Sequence, residues 1–129
     1  MIVVDTSVIL AILLREPDWR SVAAILESDE LASAESLSAE VGNSLSSLVR
    51  RDLIEPETAL TVWDAYISLP IRHLTISYPA ALDLAFTYRM YAYDAYMITV
   101  ALTYKYPLVT LDKGMGHVAR VAGVTVKGV

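Results

Sequence analysis

Met1-Ile2-Val3-Val4-Asp5-Thr6-Ser7-Val8-Ile9-Leu10 opens the chain. The β-branched run Ile2–Val4, stopped by an acid, reads as a short buried strand with Met1 at its start. Thr6–Arg15 then reads as a helix, with Asp5, Thr6 or Ser7 available as its cap. Working outward, the same alternation recurs. Pro17 opens a second helical segment to about Glu27, with Trp19, Val22, Ala23 and Leu26 on one face. Leu31–Ala34 reads as a strand. Leu37–Asp52 reads as a helix with an apolar stripe of Leu37, Val41, Leu45 and Leu48, and with Glu40, Ser44 and Ser47 on another face. Pro56–Leu69 is the next helix, with Leu60, Trp63 and Ile67 in register. A strand at Ile71–Ile76, helices at Pro79–Tyr88 and Ala92–Tyr104, a strand at Pro107–Leu111, a helix at Lys113–Val121 and a last strand at Val124–Lys127 complete the chain. Strands that are apolar throughout and alternate with helices predict an α/β fold. The expectation is a three-layer α/β/α sandwich with a central, mainly parallel sheet of four or five strands, forming one domain over 1–129.

Composition agrees and narrows the function. The 129 residues are 55% apolar and 19% charged, which excludes disordered and low-complexity classes. There is no cysteine, so disulfide scaffolds and thiolate metal sites are excluded. Ten Lys and Arg against fifteen Asp and Glu give a net charge of −5. A protein that holds nucleic acid by phosphate contacts alone is usually basic, so any nucleic-acid role here needs a local source of positive charge. A bound divalent cation is one. The apolar run Val8–Leu14 is far shorter than the ~20 residues of a membrane span, and no Lys or Arg precedes it as in an export signal. The expected setting is soluble and cytoplasmic, with no membrane contact.

Four acids stand out: Asp5, Glu40, Asp94 and Asp112. Asp5 and Asp112 end predicted strands, and parallel sheets place ligands beyond the carboxyl ends of their strands. Asp94 begins a helix that is apolar almost all round, which should draw it partly inside. A buried carboxylate is protonated, paired or bound to a metal. Cysteine-free carboxylate ligation suits Mg²⁺ or Mn²⁺, ions that serve phosphoryl chemistry and turn a water into a nucleophile. Plainer readings exist for each acid. Asp5 and Asp112 can cap the helices that follow them. Asp94 can favour a helix amino end. Glu40 can be an ordinary solvated residue, and with no Ser or Thr three positions before it, it is not a capping-box glutamate.

Taken in order, these segments resemble the PIN-domain nucleases, most closely the VapC-type toxins of toxin–antitoxin pairs. Ile2-Val3-Val4-Asp5-Thr6-Ser7 resembles the family's opening strand and first acid. Ser38-Ala39-Glu40-Val41-Gly42-Asn43 resembles its Glu-x-x-Asn helix. Tyr93-Asp94-Ala95 and Thr110-Leu111-Asp112 resemble its Tyr-Asp-Ala and Thr-x-Asp segments. The resemblance implies a Mg²⁺- or Mn²⁺-dependent endoribonuclease whose metal ligands and catalytic acids are Asp5, Glu40, Asp94 and Asp112. It implies supporting roles for Thr6, Ser7, Asn43 and Thr110, and products with a 5′-phosphate and a 3′-hydroxyl. It also implies an RNA substrate, a VapB-type antitoxin and a homodimer. Two segments depart from the pattern. Met90-Tyr91-Ala92 stands where members often carry a small residue, and Lys113-Gly114-Met115 follows Asp112 where some carry a further acid.

The remaining singular residues have plainer expectations. Six of eight tyrosines fall in Tyr88–Tyr106, where core packing or a dimer interface is the first expectation and base stacking the second. His73 reads as structural, His117 follows the Asp112 loop and can sit near the pocket without a catalytic part, and Lys113 reads as solvated, with phosphate contact as the alternative. Arg50 and Arg51 suit a helix carboxyl end, with an RNA-facing patch as the alternative. Rival functions fit less well. A phospho-receiver domain wants paired acids after its first strand and a mid-chain strand ending in Asp, and neither is present. A haloacid-dehalogenase phosphatase wants Asp-x-Asp, but Ser7 holds the second place. A binding module of the same fold that has lost activity would be expected to lose some of the four acids.

Overall fold

Ile2, Val3 and Val4 are wholly buried and form β1 (Ile2–Val4), the middle strand of a five-stranded sheet. The computed structural model describes residues 1–128. After β1 come α1 (Thr6–Leu13), α2 (Trp19–Leu26), β2 (Leu31–Ala34), α3 (Leu37–Arg50), α4 (Pro56–Ile67) and β3 (Ile71–Leu74). Then follow α5 (Tyr78–Tyr88), α6 (Ala92–Tyr104), β4 (Leu108–Val109), α7 (Lys113–Ala122) and β5 (Val126–Lys127). The strand order is β3-β2-β1-β4-β5, and all four pairings are parallel. Ile2 and Val3 face Leu31 and Ala32 on one side, while Val3 and Val4 face Leu108 and Val109 on the other. The chain therefore winds outward from β1 in one direction and, starting again at β4, in the other. A crevice opens where that direction reverses, beyond the carboxyl ends of β1 and β4.

The helices cover the sheet as an α/β sandwich. α6 lies on β1 and β2 and is backed by α5, whereas α1 packs with α2, α3 and α4. α6 buries Ala95, Met97, Ile98, Thr99, Val100 and Ala101, consistent with its nearly all-apolar surface. Gly123, at φ +104°, closes α7 in a left-handed conformation that costs glycine no steric strain. No described helix is long and apolar enough to cross a membrane.

Several expectations need correction. α4 does not bury the Leu60–Trp63–Ile67 face: Leu60 and Ile67 are 68% and 60% exposed, while Val62 and Tyr66 are buried. α4 carries two apolar stripes, and the tertiary contact chooses between them. The Tyr66 hydroxyl meets Ser38 Oγ at 2.9 Å, so its polar tip is satisfied while its ring is buried. α2 begins at Trp19 rather than Pro17, and α1 stops at Leu13. β3, β4 and β5 are shorter than expected, pairing over four, two and two residues.

Candidate active site

Asp5 leaves β1 at the crevice and caps α1, its Oδ1 accepting from Val8 N at 3.1 Å. Two hydroxyls converge on the same carboxylate. Ser7 Oγ donates to Oδ1 at 2.6 Å and Thr110 Oγ1 donates to Oδ2 at 2.5 Å. Each hydroxyl is itself held by a backbone donor from the β4 end. Leu111 N donates to Ser7 Oγ and Asp112 N to Thr110 Oγ1, both at 3.1 Å. Because both hydroxyls already accept an N–H, their protons turn to Asp5, and the two strands are joined through it. Burial still raises the Asp5 pKa above the usual carboxylate range; Ser7, Thr110 and Val8 oppose that rise and the charge of Asp112 adds to it.

Asp112 caps α7 by accepting from Met115 N at 3.0 Å and stays exposed. The capping readings of Asp5 and Asp112 are therefore correct, and both residues also line the crevice. The solvated reading of Glu40 is not correct. Glu40 is 8% exposed, and Ser36 Oγ at the amino end of α3 donates to its Oε2 at 2.9 Å. Its pKa is pushed up to about 7, by burial first and by the charges of Asp5 and Asp94 next, with Ser36 and Thr6 opposing. Asp94, in the first turn of α6, is half-buried. Burial raises its pKa, and the charges of Asp112 and Asp5 raise it further.

The four acids thus sit within electrostatic reach of one another, in a cleft of about 560 Å³. Thr6, Ser7 and Asn43 also line it, and Thr110 lies beneath it, buried. Among the described residues no Lys, Arg or His lines the cleft. The ion pairs among the described residues both involve Asp29, at the opposite, amino ends of the strands. His73, His117 and Lys113 are exposed and lie outside the cleft.

A hard divalent cation fits this donor set. The clustered carboxylates are hard oxygen ligands that repel one another without a counter-charge. Thr6, which also lines the cleft, lies beside Glu40 and favours its charged form. Among the described residues no three acidic or histidine side chains form a ready-made cage. Mg²⁺ needs none, since it keeps several waters and takes one or two carboxylates beside substrate phosphate.

Sequence reasoning missed Ser36, and placed Ser44 on the Glu40 face of its helix without giving it a part in the cleft that it lines. Ser36 stands four residues before Glu40, the spacing that brings two side chains together on a helix, and that signal was available. Core packing does not hold for Tyr91 and Tyr93, which are 84% and 42% exposed and line the cleft with Tyr96.

Three solved structures share this fold. PAE2754 from Pyrobaculum aerophilum superposes with a TM-score of 0.71 at 22% identity, covering 91% of this chain and 78% of that one. VapBC2 from Rickettsia felis, bound to a DNA fragment from their promoter, gives 0.68 at 15% identity, covering 99% and 98%. FitAcB from Neisseria gonorrhoeae gives 0.66 at 22% identity, covering 98% and 96%. No curated protein is significantly similar in sequence. The sequence profile of the PIN domain matches residues 2–121, nearly the whole length, and the chain belongs to the PIN domain family.

Proposed function

We propose that this protein is a divalent-metal-dependent endoribonuclease and the toxin of a toxin–antitoxin pair. The observation that carries the reading is the convergence of four carboxylates, from four separate elements, on one cleft at the sheet's switch point that no basic side chain among the described residues lines. Asp5, Glu40, Asp94 and Asp112 would hold Mg²⁺ or Mn²⁺. When bound, such an ion neutralises the acids, draws charge from a phosphate and lowers the pKa of a water. Ser7 and Thr110 favour the ionised form of Asp5 by pointing both hydroxyl protons at it, against the burial that raises its pKa. Ser36 fixes the Glu40 rotamer, and Thr6 favours its charged form from beside it. Asn43, exposed at the cleft wall, supplies an amide to orient substrate. The reaction is hydrolysis of an RNA phosphodiester. Water adds at phosphorus, the 3′ oxygen leaves, and a 5′-phosphate remains, as the family resemblance implies.

The same resemblance supports a VapB-type antitoxin as partner and a homodimer, and the sequence pattern supports a cytoplasmic setting for one domain over 1–129. The likeness to the VapBC2 assembly supports the antitoxin. Exposed apolar side chains such as Phe86 and Leu60, at 72% and 68%, are available for such contacts. The test is RNA cleavage with Mn²⁺ or Mg²⁺ against EDTA, for wild type and Asp94→Asn purified identically. Metal-dependent cleavage lost in the variant is expected. Equal cleavage by both proteins would sink the assignment.

A further inference from the structure

No acid follows Asp112 in the sequence. Residues 113–129 hold Lys113, His117, Arg120 and Lys127, in a protein whose net charge is −5. Lys127 is paired with Asp29. The other three stand on α7 at spacings of four and three residues, which lines them up along one face of a helix. All three are exposed, and none forms an ion pair among the described residues. At 1.5 Å per residue the line is about 10 Å long. It starts next to Asp112, at the rim of the acid cleft, and follows α7 away from it.

Helix stability explains only part of this pattern. Arg120 lies in the last turn, where a cation suits the helix dipole. Its side chain nevertheless folds back toward the cleft, with Nη1 3.9 Å from where a Cβ on Gly116 would stand. Lys113 is the first residue of α7, at the end where the dipole disfavours a cation. Gly114 follows it, although glycine weakens a helix relative to alanine. The fold does not demand that glycine: a Cβ there would meet only Asp112 Oδ1, at 3.4 Å. The surface beside Lys113 is therefore bare backbone, open to close approach. A helix end by itself makes no site, but here the cations continue beyond the first turn.

We infer that the Lys113–His117–Arg120 face of α7 is a phosphate track, along which the backbone of the RNA lies on one side of the scissile bond. This rests on the nuclease reading for the class of ligand. Lys113 and Arg120 supply charge, and His117 supplies a ring N–H donor between them. An acidic protein gains little from long-range attraction to RNA, so a local line of cations must replace it. The contacts fix where the strand runs and carry no base preference. The three side chains are positioning residues, since they lie outside the cleft that holds the acids.

The test is RNA binding by the Asp94→Asn protein with Mn²⁺, followed against salt, with fluorescently labelled, unstructured oligomers of two unrelated sequences. Adding Lys113→Gln together with Arg120→Gln is expected to reduce the slope of log K against log salt by about 1.4, or about 0.7 for each phosphate on a single strand. The reduction should be the same for both sequences. His117→Lys adds a cation to the track and is expected to steepen the slope by about 0.7. Arg72→Gln, exposed on β3 at the sheet edge opposite β5, leaves the slope unchanged. Shortening the oligomer from one end should abolish the effect of the double substitution, while shortening it from the other end preserves it. Melting temperatures verify folding, and Lys113→Gln should melt no lower than its parent because a cation leaves the helix amino end. A slope that neither the double substitution nor His117→Lys alters overturns the inference and leaves the face to an acidic protein partner. No RNA binding by the parent overturns it as well. Wild-type cleavage with an unaltered slope defeats the track alone. A slope that follows these substitutions without wild-type cleavage defeats the nuclease reading alone.

Discussion

Asp5 and Asp94 face the same cleft from opposite kinds of support. Asp5 is 6% exposed and receives three donors, two of them hydroxyls that tie β1 to the segment after β4. Asp94 is half-buried and has no side-chain hydrogen bond among the described residues. Both are repelled by Asp112, but only Asp5 gains bonds in return. The floor of the cleft is therefore part of the fold, whereas the wall carries an unrelieved charge. Functional side chains on one site can thus be separated by what their removal does to the metal-free protein.

The largest expected difference is between activity and stability at the wall. Asp94→Asn should lower cleavage by at least about 10³-fold, the order of several kcal/mol of lost charge stabilisation. The metal-free variant should melt at or above the wild-type temperature, because a repelled charge is gone. A clear drop in melting temperature would mean that the wall is structural too. At the floor, Asp5→Ala should lose cleavage and also destabilise the protein. Losing a helix cap costs about 1 kcal/mol, and stranding partly buried hydroxyls adds roughly 1–3 kcal/mol. Urea unfolding without metal measures this, and an unchanged midpoint would erase the contrast with Asp94.

Thr110→Val should be milder, because it keeps shape and removes one hydroxyl that serves both Asp5 and Asp112 N. We expect a loss of roughly 10–100-fold in activity or metal affinity, as for other groups that orient ligands. Full activity in this variant would show that Asp5 is held well enough by Ser7 and Val8.

The smallest effect is a slope with pH. The Glu40 pKa is raised from 4.5 to about 7 in the folded protein, so the folded state binds its proton more tightly than the unfolded one. That contribution is fully present below about pH 4.5 and is lost as pH rises to about 7. Asp5 and Asp94, also raised, act in the same direction. Metal-free melting temperature should therefore fall between those pH values, and Glu40→Gln should flatten the fall. Added Mn²⁺ should stabilise most at the upper end, where the acids are ionised and repel one another. Equal stabilisation by Mn²⁺ at both ends would argue that the ion sits elsewhere.

Local sequence determined the elements and the four acids. The β-branched run before Asp5, the apolar strand before Asp112 and the nearly all-apolar helix after Asp94 all follow from side-chain periodicity, which is a property of neighbours in the chain. Capping chemistry is equally local, and it places Asp5 and Asp112 at the starts of α1 and α7. What tertiary structure alone decided is which strands are adjacent and which faces are covered. Nothing within ten residues of Asp5 announces that Thr110 will donate to it, because that bond depends on β4 pairing with β1 across the intervening elements. The same holds for α4, where Tyr66 is buried and Leu60 exposed, since two apolar stripes compete and only the facing helix chooses. The tyrosines obey this rule as well. Their number was visible in the chain, but whether a ring fills the core or lines the cleft is set by what packs against it, and for Tyr91 no other ring does.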